Sequence, residues 1–204
     1  GKGEWQMSSS KYIVRQPIKD TENHILGYEI QYYGENYAFS GGDPQNRGNE
    51  FAAADTIYNF LTLNTDKLLR GSLNFMTFTT PLLMKTTPRL FDKGELVIQI
   101  DDSVIIHPLA MHMINQYAKE GYQIAVNEFQ FAPRYLAIMD SIDYIKLNFR
   151  DTPETTLKNI IAIAHSMNKK CIAVNIDREE LYQRAIKLKV DAMEVIFFSE
   201  KLTT

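Results

Sequence analysis

The sequence lacks the features on which several classes of protein depend. Its single cysteine, Cys171, excludes an internal disulfide framework and fits a reducing cytoplasm. The formal net charge of -3 shows no basic excess, which argues against a nucleic-acid polymer as the main partner. Apolar runs such as residues 160–164 are far shorter than the ~20 residues that a membrane span needs. We therefore expect a cytoplasmic protein with neither a membrane nor polymeric nucleic acid as its partner.

Motifs of several common catalytic sites are also missing. No Gly-x-Gly-x-x-Gly follows the first β-like run, and no Gly-x-Ser-x-Gly is present, so a dinucleotide site and a hydrolase nucleophile have no motif. The histidines are scattered, and His107 and His112 are five residues apart, which is not the i, i+4 spacing of a zinc motif. Cys171 stands in an apolar run and is interpreted as a buried structural thiol.

Apolar β-like runs and helical patterns alternate along most of the chain. Two β-rich stretches flank the polar residues 19–24 and predict a hairpin. A loop at 34–49 and a helix at 51–63 are predicted next. Further strands are predicted at 72–78, 95–101, 122–129, 143–149, 170–176 and 191–198. Helices are predicted between them, near 80–86, 109–120, 132–140, 154–167 and 178–189, with stops at Gly121 and Asn168.

The number of strands favours a closed barrel. Seven of the predicted strands can run parallel, and the first strand of the hairpin is an eighth. We predict an α/β fold, a TIM-like (β/α) barrel whose first strand is antiparallel to the others. Residues 7–204 are predicted to form this single domain, and residues 1–6 are interpreted as a remnant of expression cloning.

The predicted strand ends carry polar side chains, and such ends meet at one mouth of a barrel. They present Glu29, Thr77, Gln99, Asn127, Glu128, Lys146, Asn148, Val174, Asn175 and Glu194. A hard divalent cation such as Mg²⁺ prefers carboxylate oxygens, usually at least two. Because most of these positions hold amides, a hydroxyl or an aliphatic group, a hydrolytic metal site is not expected here.

The order of these segments resembles the bacterial EAL domain, a barrel that hydrolyses cyclic di-GMP. Residues 15–18 (Arg-Gln-Pro-Ile) are similar to its opening strand, and residues 27–31 (Gly-Tyr-Glu-Ile-Gln) stand where the Glu-Ala-Leu signature is expected. Residues 125–129 (Ala-Val-Asn-Glu-Phe) replace the Asp-Asp-Phe motif, and residues 144–148 (Tyr-Ile-Lys-Leu-Asn) resemble the Lys-x-Asp strand. Among EAL domains, residues 148–153 more closely resemble the subgroup that is joined to HDOD domains.

The resemblance implies which residues occupy the family's site. Former metal-ligand positions would be Glu29, Thr77, Gln99, Asn127, Glu128 and Val174. Active relatives use Mg²⁺ or Mn²⁺, and here only Glu29 and Lys146 are retained outright. Asn148 replaces the aspartate partner of Lys146, Tyr33 replaces a phosphate-contacting arginine, and Glu194 replaces a late glutamine. We therefore expect no metal cofactor and no catalytic residues.

Candidates for ligand binding follow from the same positions. They are Arg15, Gln16, Glu29, Tyr33, Asn127, Glu128, Lys146 and Asn148. Arg134 and Arg150 would supply further cationic donors to phosphates if they faced the mouth.

Three functions remain open from the sequence. The first is a catalytically inactive EAL-like signalling domain, not an enzyme, that acts through contacts with a protein partner or as a homodimer. The alternative is a receptor that binds cyclic di-GMP without cutting it. A residual cyclic di-GMP phosphodiesterase is the third reading, and the replaced ligands disfavour it most.

Overall fold

A β-hairpin opens the described part of the computed structural model, which covers residues 12–33, 71–196 and 200–202. Strands β1 (Tyr12–Asp20) and β2 (Ile25–Tyr33) are antiparallel, and their register shifts after Ile18. Asp20 Oδ1 accepts the backbone N–H groups of Glu22 at 2.9 Å and His24 at 2.8 Å, which closes the turn. The predicted hairpin is therefore confirmed.

Seven parallel strands and β1 close into a barrel. After β2 come β3 (Asn74–Thr77), β4 (Leu96–Ile100), β5 (Gln123–Val126), β6 (Tyr144–Asn148), β7 (Lys170–Ile176) and β8 (Ala192–Val195). Each pairs in parallel with the strand before it. β1 pairs antiparallel with both β2 and β8, which joins the two edges. The predicted TIM-like barrel with an antiparallel first strand is confirmed.

Helices connect the parallel strands on the outside of the barrel. In the described ranges they are α1 (Thr80–Met84), α2 (Asp102–Ile105), α3 (Pro108–Glu120), α4 (Glu154–Ser166) and α5 (Glu179–Lys187). Gly121 ends α3 at a φ of 106° and Asn168 follows α4 at a φ of 61°, so both predicted stops are confirmed. None of the described helices has the length and apolar character needed to cross a membrane.

Several details differ from the sequence-based predictions, and helix α2 is one that was not predicted. The helix predicted at 132–140 is instead two 3₁₀ turns, Pro133–Tyr135 and Met139–Ser141. The backbone hydrogen bonds there span three residues rather than four, as in the bond from Leu136 N–H to the Pro133 carbonyl. The strand predicted at 122–129 ends at Val126, because Glu128 has a φ of 49° that a strand cannot hold.

A further difference is a strand that the sequence patterns did not predict. Strand β9 (Glu200–Leu202) pairs antiparallel with β1, from Ile13↔Leu202 to Arg15↔Glu200. The predicted helix at 51–63 and the predicted loop at 34–49 lie outside the described residues.

The barrel interior has two layers. Its floor is an apolar cluster of buried residues from seven strands: Ile18, Phe75, Val97, Ala125, Tyr144, Ile172 and Ala192. Side chains alternate between the two faces of a strand, so the interior residue above each floor residue lies two positions along. Those positions hold mostly polar residues. Another, larger apolar core packs the outer faces of the strands against the helices.

Gly27 allows β2 to approach β3 closely. A Cβ atom at this position would lie 2.5 Å from the Leu73 carbonyl oxygen, which accepts the backbone N–H of Tyr28 at 2.9 Å. We expect Gly27→Ala to lower the free energy of unfolding by about 1–3 kcal/mol, because the two strands must separate to admit the methyl group. Urea denaturation followed by circular dichroism measures the change.

Gly94→Ala is the matched control. No atom lies within 4 Å of the Cβ that it would add, so we expect a change of at most about 0.5 kcal/mol. A Gly27→Ala variant as stable as the Gly94→Ala variant would contradict the close approach of β2 and β3.

Candidate functional site

A polar ring lies directly above the apolar floor, toward the carboxyl ends of the parallel strands. We define this ring as Gln16, Glu29, Thr77, Gln99, Lys146 and Glu194. All of them except Thr77 are at most 6% exposed. Buried polar groups require partners, so the contacts within this ring decide its chemistry.

The ammonium group of Lys146 lies between two carboxylates. Its Nζ donates a hydrogen bond to Glu29 Oε1 and a second to Glu194 Oε2 at 2.5 Å. The same nitrogen lies 5.2 Å from the centre of the Phe75 ring in the floor. The ammonium group of Lys146 thus joins strands β2, β6 and β8 inside the barrel.

Burial and charge determine protonation in the group of Lys146, Glu29 and Glu194, which we call the buried trio. Burial by itself lowers the pKa of Lys146, but the charges of Glu194 and Glu29 outweigh it and leave the pKa above its ordinary value. Burial raises the pKa of Glu194 to about 7, since the charge of Glu29 adds to the effect of burial and Lys146 only partly offsets it. Lys146 is therefore charged at neutral pH, while Glu194 can take up a proton there.

Gln99 occupies the remaining side of Glu29. Its Nε2 donates to Glu29 Oε2 at 2.8 Å and Oε1 at 3.1 Å, and it lies 3.1 Å from Thr77 Oγ1. Gln99 Oε1 is buried and has no hydrogen-bond partner in the described part of the chain. The Glu29 carboxylate is consequently held by an ammonium and an amide, both of which are donors.

Gln16 lies between β2 and β8 in the ring, since it pairs with Glu29 in the β1–β2 register. Its Nε2 donates to the carbonyl oxygen of Val195 at 2.7 Å, at the end of β8. The structure therefore brings together four predicted site residues, Gln16, Glu29, Gln99 and Lys146, with Thr77 at the edge.

Of the other predicted positions, Asn127 and Glu128 lie just beyond a strand, Asn148 ends β6, and Val174 lies within β7. Asn127 and Glu128 follow β5, where Glu128 is exposed. Asn148 closes a turn, since its Oδ1 accepts the backbone N–H groups of Arg150 at 3.0 Å and Asp151 at 3.1 Å. Val174 packs against the apolar floor cluster. These residues border the mouth without entering the polar ring.

Each predicted cationic donor whose side chain is described already has a partner. The Arg15 guanidinium lies 4.1 Å from the centre of the Tyr28 ring, and Arg15 alternates with the inward Gln16, so it is on the outer face of β1. Arg134 pairs with Asp102 at 2.8 Å. Arg150 lies 3.6 Å from Asp177, after the end of β6. The side chain of Tyr33 is outside the described residues, and only its backbone pairing with Tyr12 is seen.

Sequence reasoning missed the role of Glu194. It was identified only as the residue that stands in place of a glutamine, whereas the structure makes it the second carboxylate on Lys146. The available signal was an acidic residue at the interior level of Lys146, two strands away on β8, but this becomes visible only when the register of the barrel is known.

Comparison with known proteins gives relatives at low identity. No protein-family model matches the chain. The YuxH protein of Bacillus subtilis (strain 168) is 25% identical over 195 residues, which cover 93% of this chain and 47% of YuxH. The cyclic di-GMP phosphodiesterase CdgJ of Vibrio cholerae is 22% identical over 198 residues, which cover 93% of this chain and 44% of CdgJ. The chain thus spans about half the length of these curated relatives.

Solved structures match nearly the whole chain. The Bacillus subtilis YkuI protein with an EAL domain, in complex with cyclic di-GMP and calcium, has a TM-score of 0.73 and 17% identity, covering 96% of this chain and 57% of YkuI. The FimX EAL domain of Pseudomonas aeruginosa, bound to cyclic di-GMP, has a TM-score of 0.70 and 17% identity, and the match covers 96% of this chain and 92% of the FimX chain. The chain has the fold of an EAL domain. The resemblance read from the sequence motifs is confirmed at this level.

The prediction that this EAL-fold domain is not an enzyme is contradicted. The relatives that it resembles include CdgJ, which is a cyclic di-GMP phosphodiesterase. The replaced strand-end residues bear on metal binding at those positions. They do not by themselves exclude an enzymatic activity.

The polar ring does not fit a pair of divalent cations of the kind that EAL enzymes use. Of the six former ligand positions only Glu29 and Glu128 hold carboxylates, and Glu128 is exposed in the turn after β5. Glu29 already receives donors from Lys146 and Gln99. A cation needs several oxygen ligands turned toward it, and here N–H groups occupy that space.

Removing the central cation should destabilise the EAL-fold domain strongly. We expect Lys146→Met to lower the free energy of unfolding by about 3–5 kcal/mol at neutral pH, because it leaves two buried carboxylates without a counter-charge. Denaturant titration measures the loss, which should shrink as the pH falls below about 7, because Glu194, whose pKa is raised to about 7, then becomes protonated.

Lys187→Met serves as the control. Lys187 pairs with Glu154 at 3.0 Å on the surface, where its side chain is 69% exposed, so we expect a loss of at most about 1 kcal/mol. Equal losses in the two variants would show that the buried trio contributes no more than a surface ion pair.

Proposed function

We propose that the domain is a signalling domain that binds cyclic di-GMP at the barrel mouth without a pair of metal ions. The observation that carries this proposal is the Lys146 ammonium, held beneath the mouth between Glu29 and Glu194. The fold supports the ligand, since YkuI and FimX are both structures in complex with cyclic di-GMP.

The buried ammonium provides charge compensation where a metal-dependent site would use cations. Cyclic di-GMP carries two phosphates, and two uncompensated carboxylates below the mouth would repel them. Lys146 offsets one negative charge, and the raised pKa of Glu194, about 7, leaves the second carboxyl group partly protonated at neutral pH. The base of the mouth can therefore face an anionic ligand without a bound metal.

The rim of the mouth supplies the direct contacts in this proposal. Arg150 follows the carboxyl end of β6, and its side chain is 44% exposed. A guanidinium can form paired hydrogen bonds with a phosphate, so Arg150 is the proposed phosphate contact. Asn127 borders the same mouth and offers an amide group to the bases, whereas Asn148 is held in its own turn by Arg150 and Asp151. Tyr33 remains a predicted ligand-binding residue.

Isothermal titration with cyclic di-GMP tests both parts of the proposal. We expect binding of similar affinity in EDTA and in Mg²⁺, and we expect Arg150→Ala to weaken it roughly tenfold or more because a charge-assisted contact is lost. Chromatography of the same samples measures any cleavage of the ligand.

Arg89→Ala is the control for charge removal. Arg89 pairs with Glu120 at 2.7 Å, between α1 and the start of β4, away from the mouth, so its loss should leave the affinity unchanged. Binding that requires Mg²⁺, or cleavage that depends on Mg²⁺, would contradict the metal-free arrangement. The absence of binding in both conditions would overturn the proposed ligand.

Regulation through protein contacts is the second candidate function. Ile106, Leu109 and Leu136 are 64%, 69% and 73% exposed. They lie on neighbouring segments, because Arg134 pairs with Asp102 and Asn115 Nδ2 donates to the Ala137 carbonyl at 3.0 Å. A two-fold homodimer uses one patch twice, so this single apolar surface would suffice for a cytoplasmic homodimer.

The mass of the protein in solution tests this second candidate. We expect light scattering after gel filtration to give a dimer, and we expect Leu109→Glu with Leu136→Glu to convert it to a monomer, because charges would have to be buried. Leu90→Glu, which alters another exposed leucine (62%), should leave the dimer intact. A monomer at all concentrations would contradict self-association.

A further inference from the structure

A second cluster of polar side chains lies at the end of the barrel opposite the mouth. His165 is in the last turn of α4, Cys171 is the second residue of β7, and Asp191 comes immediately before β8. A ring nitrogen of His165, the Sγ atom of Cys171 and a carboxylate oxygen of Asp191 all lie within 4.8 Å of one another. Because β7 and β8 begin here, this cluster is separate from the polar ring.

Hydrogen bonds of the main chain join Cys171 to Asp191, and a side-chain contact joins His165 to Asp191. The backbone N–H of Asp191 donates to the Cys171 carbonyl at 2.9 Å, and the backbone N–H of Cys171 donates to Asp191 Oδ2 at 2.7 Å. His165 Nε2 lies 2.8 Å from the same Oδ2. The side chains are therefore brought together by the fold itself, as ligands of a preorganised site must be.

We propose that His165, Cys171 and Asp191 form a binding site for Zn²⁺. A thiolate, an imidazole and a carboxylate are the protein ligands that zinc uses, and three of them leave a fourth position for water. The combination disfavours hard cations such as Mg²⁺, which prefer oxygen ligands alone. The bound metal would tie the end of α4 to the first residues of β7 and β8.

The burial of the cluster sets the route and the chemistry of binding. Cys171 is fully buried, whereas the side chains of His165 and Asp191 are 36% and 37% exposed, so a metal ion reaches the sulfur past these two residues. Burial, with the charge of Asp191 adding to it, raises the pKa of the Cys171 thiol to about 12. Zinc must displace this proton, so binding releases a proton and weakens as the pH falls.

The alternative is that the cluster is only a structural ion pair. A histidine and an aspartate can pair on a protein surface without any metal, and such a pair does not involve the sulfur. Participation of the thiolate therefore separates the two explanations. The chain has a single cysteine, so any thiolate signal from a bound metal must come from Cys171.

Cobalt titration of the reduced, chelator-treated chain tests the site. We expect Co²⁺ to give a thiolate-to-cobalt charge-transfer band, with tetrahedral d–d bands, and we expect added Zn²⁺ to remove both by competition. Cys171→Ala should abolish the charge-transfer band, and His165→Ala should weaken cobalt binding roughly tenfold or more. Far-ultraviolet circular dichroism confirms that each variant is folded.

His24→Ala is the matched control. Asp20, Glu22 and His24 also lie close together in the β1–β2 turn, but this group has no thiol, so its loss should leave the band unchanged. A folded wild type without the band at saturating Co²⁺ would overturn the site, and so would a band that persists in Cys171→Ala. If Cys171→Ala does not fold, unchanged cobalt affinity in His165→Ala would overturn the site instead, because the partly exposed His165 side chain can be removed without emptying the core.

Discussion

The buried ammonium group of Lys146 constrains much of this structure. It bridges Glu29 and Glu194, and so connects strands β2, β6 and β8 within the barrel. A charge in such surroundings persists only when it is paired, because the cost of removing it from water is otherwise too large. A slip of β6 by one residue would turn Lys146 into the outer apolar core, so the trio also specifies the strand register.

Lys146, Glu29 and Glu194 lie in the upper of two layers that fill the barrel interior. The floor is apolar and fills the barrel between Ile18 and Tyr144, while the layer above it is almost wholly polar. Apolar burial in the floor and in the outer core stabilises the barrel whatever groups stand above. The polar layer can consequently change its chemistry while the EAL fold is retained, so the fold does not by itself fix the activity.

The polar layer also explains why the sequence identified the former metal-ligand positions but did not determine whether the domain is an enzyme. Counting replaced carboxylates is a prediction of how well those positions would hold cations. The prediction that these replacements leave a protein without enzymatic activity is contradicted by the relatives, which include a cyclic di-GMP phosphodiesterase. A list of missing ligands does not describe what the remaining groups do.

The sequence by itself determined the hairpin, the parallel strands and the barrel, because alternation and apolar runs are local signals that each segment carries. It also placed Glu29, Gln99 and Lys146 at strand ends. Only the tertiary structure decided that Lys146 meets Glu194, 48 residues away, and that Gln99 meets Glu29, 70 residues away. The same holds for His165, Cys171 and Asp191, which share no sequence motif. Such contacts depend on closure and register of the whole barrel, and these are properties of the assembled sheet rather than of any one segment.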